Sequence, residues 1–311
     1  MTSPDHVSTH DAPEDVRNES ILIYVDGNLV PREQAVVSVY DSGFMLGDGV
    51  WEGMRIYDGH IAFMEDHIDR LLEAALYIEL EIGKTREELV QAIQDTLGAN
   101  GMTNDAHIRM MVTRGKKRKP FQHPHLSVFG STMVIIAEHS KPDDSVIDRG
   151  IRLHTVPHHR GLPLTQDSKL NSHSKLNCII ALNHALRAGA DEALMLDPFG
   201  FVNTTNACNF FIVRRGEVWT STGDYCMNGV TRQKVIDLCR SDGIPIFEKN
   251  YSLYETYGAD EAFLTGTFGA QTPVAEIDGK QIGYGSRPIM MQIRELYKSL
   301  IASEIERHRR N

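Results

Sequence analysis

The sequence predicts a two-part protein of mixed α and β structure, either α+β or α/β. Three observations predict it. The chain has 311 residues, room for two domains at roughly 150 residues each. Strand-type and helix-type patterns interleave along its length. The interleaving halts at Ser140–Ser145 (SKPDDS), the one mid-chain stretch of linker composition, and then restarts. The expected division is a flexible tail over residues 1–20, a smaller N-terminal α/β domain over 21–142 and a larger C-terminal domain over 143–311.

Each element has its own signal. The first twenty residues are polar and rich in Pro, Asp, Glu and Ser, the composition of a solvated tail. Ile21–Val25 is an apolar run closed by the turn dipeptide Asp26-Gly27, and Ala35–Val39 is the next run available as its hairpin partner. His60–Phe63 reads as a short strand. Ile68, Leu71, Leu72, Ala75 and Leu76 recur at helical spacing, so Glu65–Glu79 is expected to be a helix. Thr85 and Glu88 form a T-x-x-E capping box for a second helix that buries Leu89, Ile93 and Leu97. Ala106–Thr113 and Ser131–Glu138 are long strands. Beyond the linker, Gly150–Val156 is a strand, Leu176–Ala188 a helix, Glu192–Leu196 a strand and Asn209–Ser221 a hairpin turning at Arg214–Glu217. Val230–Ser241 is helical, Ile244–Tyr251 and Glu261–Thr265 are extended, and Pro288–His308 is a closing helix.

The totals narrow the function classes. Hydrophobic residues make up 41% and charged residues 24%, ordinary for a soluble globular protein. A net charge of −10 disfavours non-specific nucleic-acid binding and leaves small molecules as the expected partners. No apolar run approaches the roughly 20 residues needed to span a bilayer. Cys178, Cys208, Cys226 and Cys239 show no C-x-x-C spacing, so a reducing cytoplasm is expected and a disulfide framework or zinc ribbon is not. His154, His158 and His159 have neither metal-ligand spacing nor neighbouring carboxylates, and no metal is expected.

Four segments carry the candidate chemistry. Asp41–Arg55 (DSGFMLGDGVWEGMR) is glycine-rich but has the wrong spacing for a dinucleotide fingerprint, and its plainest reading is a turn-rich connector. Asn228-Gly229-Val230-Thr231-Arg232 puts a hydroxyl and free backbone N–H groups at a helix start, a setting that suits an anion. Thr265-Gly266-Thr267-Phe268 leaves a strand end with a second hydroxyl; for both, an ordinary cap or turn is the plainer alternative. Asp167–Asn177 (DSKLNSHSKLN) holds two lysines, Lys169 and Lys175, ahead of a helix, and a solvated surface charge is the plain reading of either.

Taken in order, Gly47-Asp48-Gly49, Glu52, Arg55, His67, Arg70-Leu71, the lysine segment, Gly189–Ala193, Gly200-Phe201-Val202 and the two hydroxyl turns resemble the branched-chain aminotransferase-like (class IV aminotransferase) enzymes of fold type IV. D-amino-acid transaminases and aminodeoxychorismate lyases belong to the same group. The resemblance implies an α+β, two-domain fold with pyridoxal 5'-phosphate at the domain interface, and a homodimer. It implies that Arg55 holds the cofactor phosphate, for which a guanidinium fork is chemically suited, together with Val230, Thr231, Thr267 and Phe268. It places the Schiff-base lysine at Lys169, in a D-x-K context with one residue extra, and leaves Lys175 in reserve. His107 and Arg109 fall where branched-chain enzymes carry Tyr-x-Arg on a substrate-binding strand, and Trp51 joins them as a substrate residue.

One position departs from the pattern. Thr204 stands where these enzymes carry a glutamate that salt-bridges the pyridine nitrogen. A hydroxyl hydrogen-bonds that nitrogen without fixing a charge on it, so about 1.5–3 kcal/mol of charged interaction falls to about 1. The implied activity is transamination between an amino acid or amine and a 2-keto acid through a lysine aldimine. The alternatives are a lyase, or a cofactor-binding protein with degenerate catalysis. The basic run Arg114–Lys119 reads equally as a steering patch for anions and as a solvated loop.

Overall fold

The computed structural model describes residues 8–10 and 12–310. It divides into two compact units. One, the N-terminal unit, comprises Pro13–Lys141, Leu170–Lys175 and the described part of Glu304–Asn311. The other, the C-terminal unit, comprises the described part of Met1–Ala12 with Pro142–Lys169 and Leu176–Ser303.

The N-terminal unit begins with a 3-10 turn, Val16–Ser20, and a tight hairpin of β1 (Leu22–Val25) and β2 (Asn28–Pro31). Asp26 and Gly27 take positive φ, as a two-residue hairpin turn demands. The partner strand is therefore Asn28–Pro31 and not Ala35–Val39, which stays unpaired. The glycine-rich segment is more ordered than a connector: a short helix α1 (Ser42–Leu46), then β3 (Gly49–Tyr57). Next come β4 (His60–Ile61), α2 (Met64–Tyr77), α3 (Arg86–Ala99) behind the Thr85–Glu88 capping box, β5 (Ala106–Thr113) and β6 (Thr132–His139). The sheet order is β2-β1-β6-β5-β3-β4. One face carries Val50, Met54, Ile108, Met110, Met133 and Ile135 into a core shared with Ile68, Leu71, Leu89 and Ile93 of α2 and α3.

That core also contains a charge. Glu52 on β3 is fully buried and accepts hydrogen bonds from His67 Nδ1 (2.7 Å) and from Arg70 Nε and Nη2 (2.7 Å each). Burial pushes its carboxyl upward, but Arg70 and His67 outweigh that and hold it below the usual carboxylate range.

In the C-terminal unit the elements are α4 (Ser145–Arg149), β7 (Ile151–Thr155), α5 (Leu176–Arg187), β8 (Glu192–Leu196), β9 (Val202–Thr205), β10 (Asn209–Arg214), β11 (Glu217–Thr220), α6 (Val230–Ser241), β12 (Ile246–Glu248), α7 (Leu253–Tyr257), β13 (Glu261–Gly266), β14 (Ala270–Ile277), β15 (Lys280–Gln281) and α8 (Pro288–Arg310), whose last residues count with the N-terminal unit. The pairing of Asn209 with Thr204 joins β10 to β9 and closes β10-β13-β14-β7-β8-β9 into a ring. Leu153, Leu194, Val202, Phe210, Ile212, Ala262 and Leu264 fill its inside. On the outside, Phe211 and Phe263 pack with Val235 and Ile236 of α6 and Met290 and Ile293 of α8. Ala193 and Met195 pack there with Ala181 and Ala185 of α5.

The described residues of the expected tail are held in place. Thr9 N–H (3.1 Å), Thr9 Oγ1 (2.7 Å) and Ser8 Oγ (3.2 Å) all donate to Glu192 Oε1, a carboxylate only 1% exposed. Asn18 exchanges hydrogen bonds with the main chain of His139. Composition missed this because a buried carboxylate far along the chain supplies the anchor.

All four cysteines are free and buried. Burial pushes the Cys208 and Cys239 thiols up to about 12 and raises Cys226 as well. Since the thiolate is the reactive form, a thiol reagent at pH 8 is expected to modify at most Cys178 in the native protein and all four after unfolding. Rapid native labelling of two or more sites contradicts this burial.

Candidate active site

The outer face of the C-terminal ring carries a polar row where apolar residues belong. Directly opposed partners on adjacent antiparallel strands share a face. The pairs Thr204↔Asn209, Asn209↔Thr265 and Thr265↔Gln271 therefore set four neutral polar side chains in line across β9, β10, β13 and β14. All four are buried, Thr204 at 3% exposure and Gln271 at 0%. A register shift between Met195 and Leu196 turns Thr204 to this face, the re-aiming that a β-bulge provides.

Buried polar atoms are normally paired, and an orphan needs an explanation. Among the described residues Thr265 Oγ1 and both carboxamide atoms of Gln271 have no hydrogen-bond partner. Asn209 Nδ2 donates to Met227 O at 2.8 Å, and its Oδ1 lies so close to Gly229 that a Cβ there would collide with it. Gly229 is the N-cap of α6 and offers no side-chain cap, so the first N–H groups of this 12-residue helix face outward without one. Val230 and Thr231 are buried in that first turn. Arg232 is occupied structurally, donating to Ser221 O (2.7 Å) and Glu248 Oε2 (2.9 Å). Thr267 and Phe268 form the turn between β13 and β14, and Phe268 stacks on His10 with ring centroids 6.3 Å apart.

Lys169 closes the segment Pro142–Lys169, so it belongs to the same unit as Thr204, Thr231 and Thr267. It is exposed, its backbone N–H is fixed on Asp167 Oδ1 (2.9 Å), and among the described residues its ammonium group forms no ion pair. Lys175 belongs to the N-terminal unit, with its Nζ 5.7 Å from the Trp51 ring centroid.

Within the N-terminal unit, β3 and β5 bring the other expected residues to one sheet face, opposite the core: Arg55 pairs with His107, Gly53 with Arg109 and Trp51 with Met111. The Arg109 guanidinium lies 3.9 Å over the Trp51 ring, a cation–π contact. Gly53 makes room for the His107 ring, which a Cβ there would crowd at 3.2 Å. Trp51 is fixed by Nε1 donating to Ser172 O (3.1 Å) and by Asn171 Nδ2 donating to its carbonyl (2.7 Å). Burial, and then the charges of Arg109 and Lys175, hold His173 below the usual imidazole range, so this patch is cationic. Arg55 is buried and donates to Ser140 O at 3.1 Å.

Two of the five cations in the basic run are structural. Arg114 makes a forked contact with Asp48 (2.8 and 3.0 Å) and donates to Ile78 O and Glu79 O. Lys117 is buried against His123 O and Ser127 Oγ. Only Lys116, Arg118 and Lys119 remain at the surface. His154 contacts Asp278 at 2.9 Å, and among the described residues no group of three or more His, Cys, Asp or Glu is arranged for a metal.

Against this geometry, the family model described as amino-transferase class IV matches residues 49–277. The chain belongs to the class IV aminotransferase family. It is 41% identical to branched-chain-amino-acid aminotransferase-like protein 2 of Arabidopsis thaliana across 91% of this chain, although it spans only 51% of that relative's length. The branched-chain-amino-acid aminotransferase of Pseudomonas aeruginosa is 34% identical, with 92% of this chain and 95% of that one covered. Among solved structures, the PLP-bound holo form of the branched-chain amino acid aminotransferase from Thermobaculum terrenum superposes with a TM-score of 0.82 at 26% identity, covering 94% of this chain and 97% of that one. The fold is therefore the α+β fold type IV of this family. Asn209, Thr265 and Gln271 were missed in the sequence. Asn209 and Thr265 carry one signal, a polar residue at the end of an apolar strand run, and Gln271, between Ala270 and Thr272, carries none.

Proposed function

We propose that the chain is a pyridoxal-phosphate-dependent aminotransferase acting between an amino acid or amine and a 2-keto acid. The observation that carries this is the buried polar row with its orphaned atoms, set in one unit with the uncapped start of α6 and with Lys169. That donor set fits the cofactor: a helix start with hydroxyls for a phosphate, and neutral polar groups for a ring. Bound there, pyridoxal phosphate supplies an aldehyde that condenses with amines and a ring that withdraws electrons.

The chain's own residues do the rest. The Lys169 amine holds the cofactor covalently and, once a substrate amine displaces it, moves the α-proton. Thr231 Oγ1, the first N–H groups of α6 and Thr267 bind the phosphate, and Val230 and Phe268 wall the site. Arg55 is a further phosphate ligand, supported by sequence order. Arg109 and His107, set by Trp51, bind the substrate carboxylate. The names carried by the similar proteins favour transamination over the lyase.

A homodimer is part of the proposal, supported by the exposed apolar residues Val36 (74%), Val39 (68%) and Phe44 (71%) of the N-terminal unit. Large apolar side chains left at the surface suit burial against a second copy of the chain. The free, buried cysteines support the cytoplasm as the site of action, and among the described residues no helix is long and apolar enough to cross a membrane. The test is borohydride reduction of the cofactor-loaded protein with peptide mapping, alongside an amino-donor screen. A label on Lys169 and turnover that requires a keto acid are expected. A protein that takes up no cofactor refutes the function.

A further inference from the structure

Three donors converge on the backbone carbonyl of Cys208: Thr205 N–H at 2.9 Å, Thr205 Oγ1 at 2.9 Å and Thr204 Oγ1 at 2.7 Å. A carbonyl oxygen has two lone pairs, so one donor is surplus. The Thr205 groups are fixed, its N–H by the strand and its hydroxyl by accepting from Cys208 N–H (2.8 Å) and Ala207 N–H (3.3 Å). Thr204 is the one whose proton can turn elsewhere by rotating the hydroxyl alone, at little cost to the carbonyl.

Among the described residues, those in line with Thr204 on this face carry no negative charge. Met195, Asn209, Thr265 and Gln271, in line with it on this face, are all neutral. Of the acidic residues of these strands, Glu192 is opposed to Leu153 on the other sheet face, where it holds Ser8 and Thr9 beside Cys208, and Glu261 at the far end of β13 accepts the N–H groups of Ile289 and Met290. Glu276 pairs near the other end of β14 with Gln281 and Arg152. The charge hydrogen-bonded to this strand end is positive, Arg160 Nη2 donating to Thr205 O at 3.2 Å.

From this we infer that the Thr204 hydroxyl donates a hydrogen bond to an unprotonated cofactor ring nitrogen. The inference rests on the pyridoxal-phosphate reading above and specifies how that site works. With no carboxylate in line with Thr204 among the described residues and Arg160 hydrogen-bonded to the strand end, a proton on the nitrogen is disfavoured, and the spare hydroxyl proton satisfies its lone pair. The ring then withdraws electrons less strongly, and more of the proton transfer falls to the Lys169 amine.

The test is ring-15N-labelled pyridoxal phosphate bound to the full chain at neutral pH, observed by 15N NMR against the free cofactor titrated to its protonated and unprotonated limits. The wild-type resonance is expected near the unprotonated limit, displaced by a hydrogen bond. Thr204→Val is expected to lose that displacement, and Thr204→Glu to move the resonance to the protonated limit. Should the buried glutamate prevent folding, the valine variant alone decides the role of the hydroxyl. A wild-type resonance at the protonated limit, or no change in Thr204→Val, overturns the inference while the borohydride label on Lys169 leaves the aminotransferase reading standing. If no cofactor binds, both fall.

Discussion

Lys169→Ala is expected to abolish borohydride-stable cofactor attachment and to slow transamination by roughly 100- to 10,000-fold, the span a positioned acid–base group contributes. At about 1.4 kcal/mol per decade this is about 3–6 kcal/mol of transition-state stabilisation. Lys169 is the exposed lysine whose ammonium is uncommitted among the described residues and which shares a unit with Thr204, Thr231 and Thr267. Lys175 is held over Trp51 instead, so Lys175→Ala should leave the label where it was. Mass mapping of both reduced variants, with single-turnover rates, checks this. A label that survives in Lys169→Ala and vanishes in Lys175→Ala reverses the assignment.

Glu52→Ala is expected to destabilise the protein by about 3–5 kcal/mol, because removing one partner of a buried ion cluster strands the others. At roughly 2–4 °C per kcal/mol for a body this size, thermal melting should fall by roughly 6–20 °C. The loss leaves His67 buried beside an Arg70 that has lost its forked acceptor. The pH dependence follows from the sign of the shift. The Glu52 carboxyl is held below its unfolded value, so its contribution is fully present above the unfolded pKa of about 4.3 and drains away as pH falls through the lower folded value. Asp48 behaves alike: burial raises it, but Arg114 and Ser42 outweigh that. Denaturant melts at pH 7 and pH 3 should therefore show a smaller acid loss in Glu52→Gln than in wild type. An equal loss in both sinks the argument.

Local signals were readable wherever the determining contacts are local. The Thr85–Glu88 capping box opens its helix, and Arg215-Gly216 turns the β10–β11 hairpin with both residues at positive φ. The family and its fold were legible from motif order. Strand β14 was not, because Gln271, Thr272 and Pro273 break both the alternation and the donor pattern that mark a strand. The missed strand hid a candidate residue as well: Gln271 becomes conspicuous only when β13 pairs alongside it. Ala35–Val39 misled in the opposite way. Its apolar run satisfies strand composition, yet its valines lie at the surface, where a single chain gives them nothing to bury against.

The Thr9 anchor bears on how the polypeptide can be shortened. Three of the described donors to Glu192 Oε1 come from Ser8 and Thr9, and the carboxylate sits where water scarcely reaches. A start site chosen after Thr9, or a protease nick just beyond it, strips those donors from an acid walled in beside Cys208 and lifts His10 from Phe268. The described residues Ser8, Thr9 and His10 thus belong to the same unit as the β13–β14 turn, and trimming them is an edit to the interior.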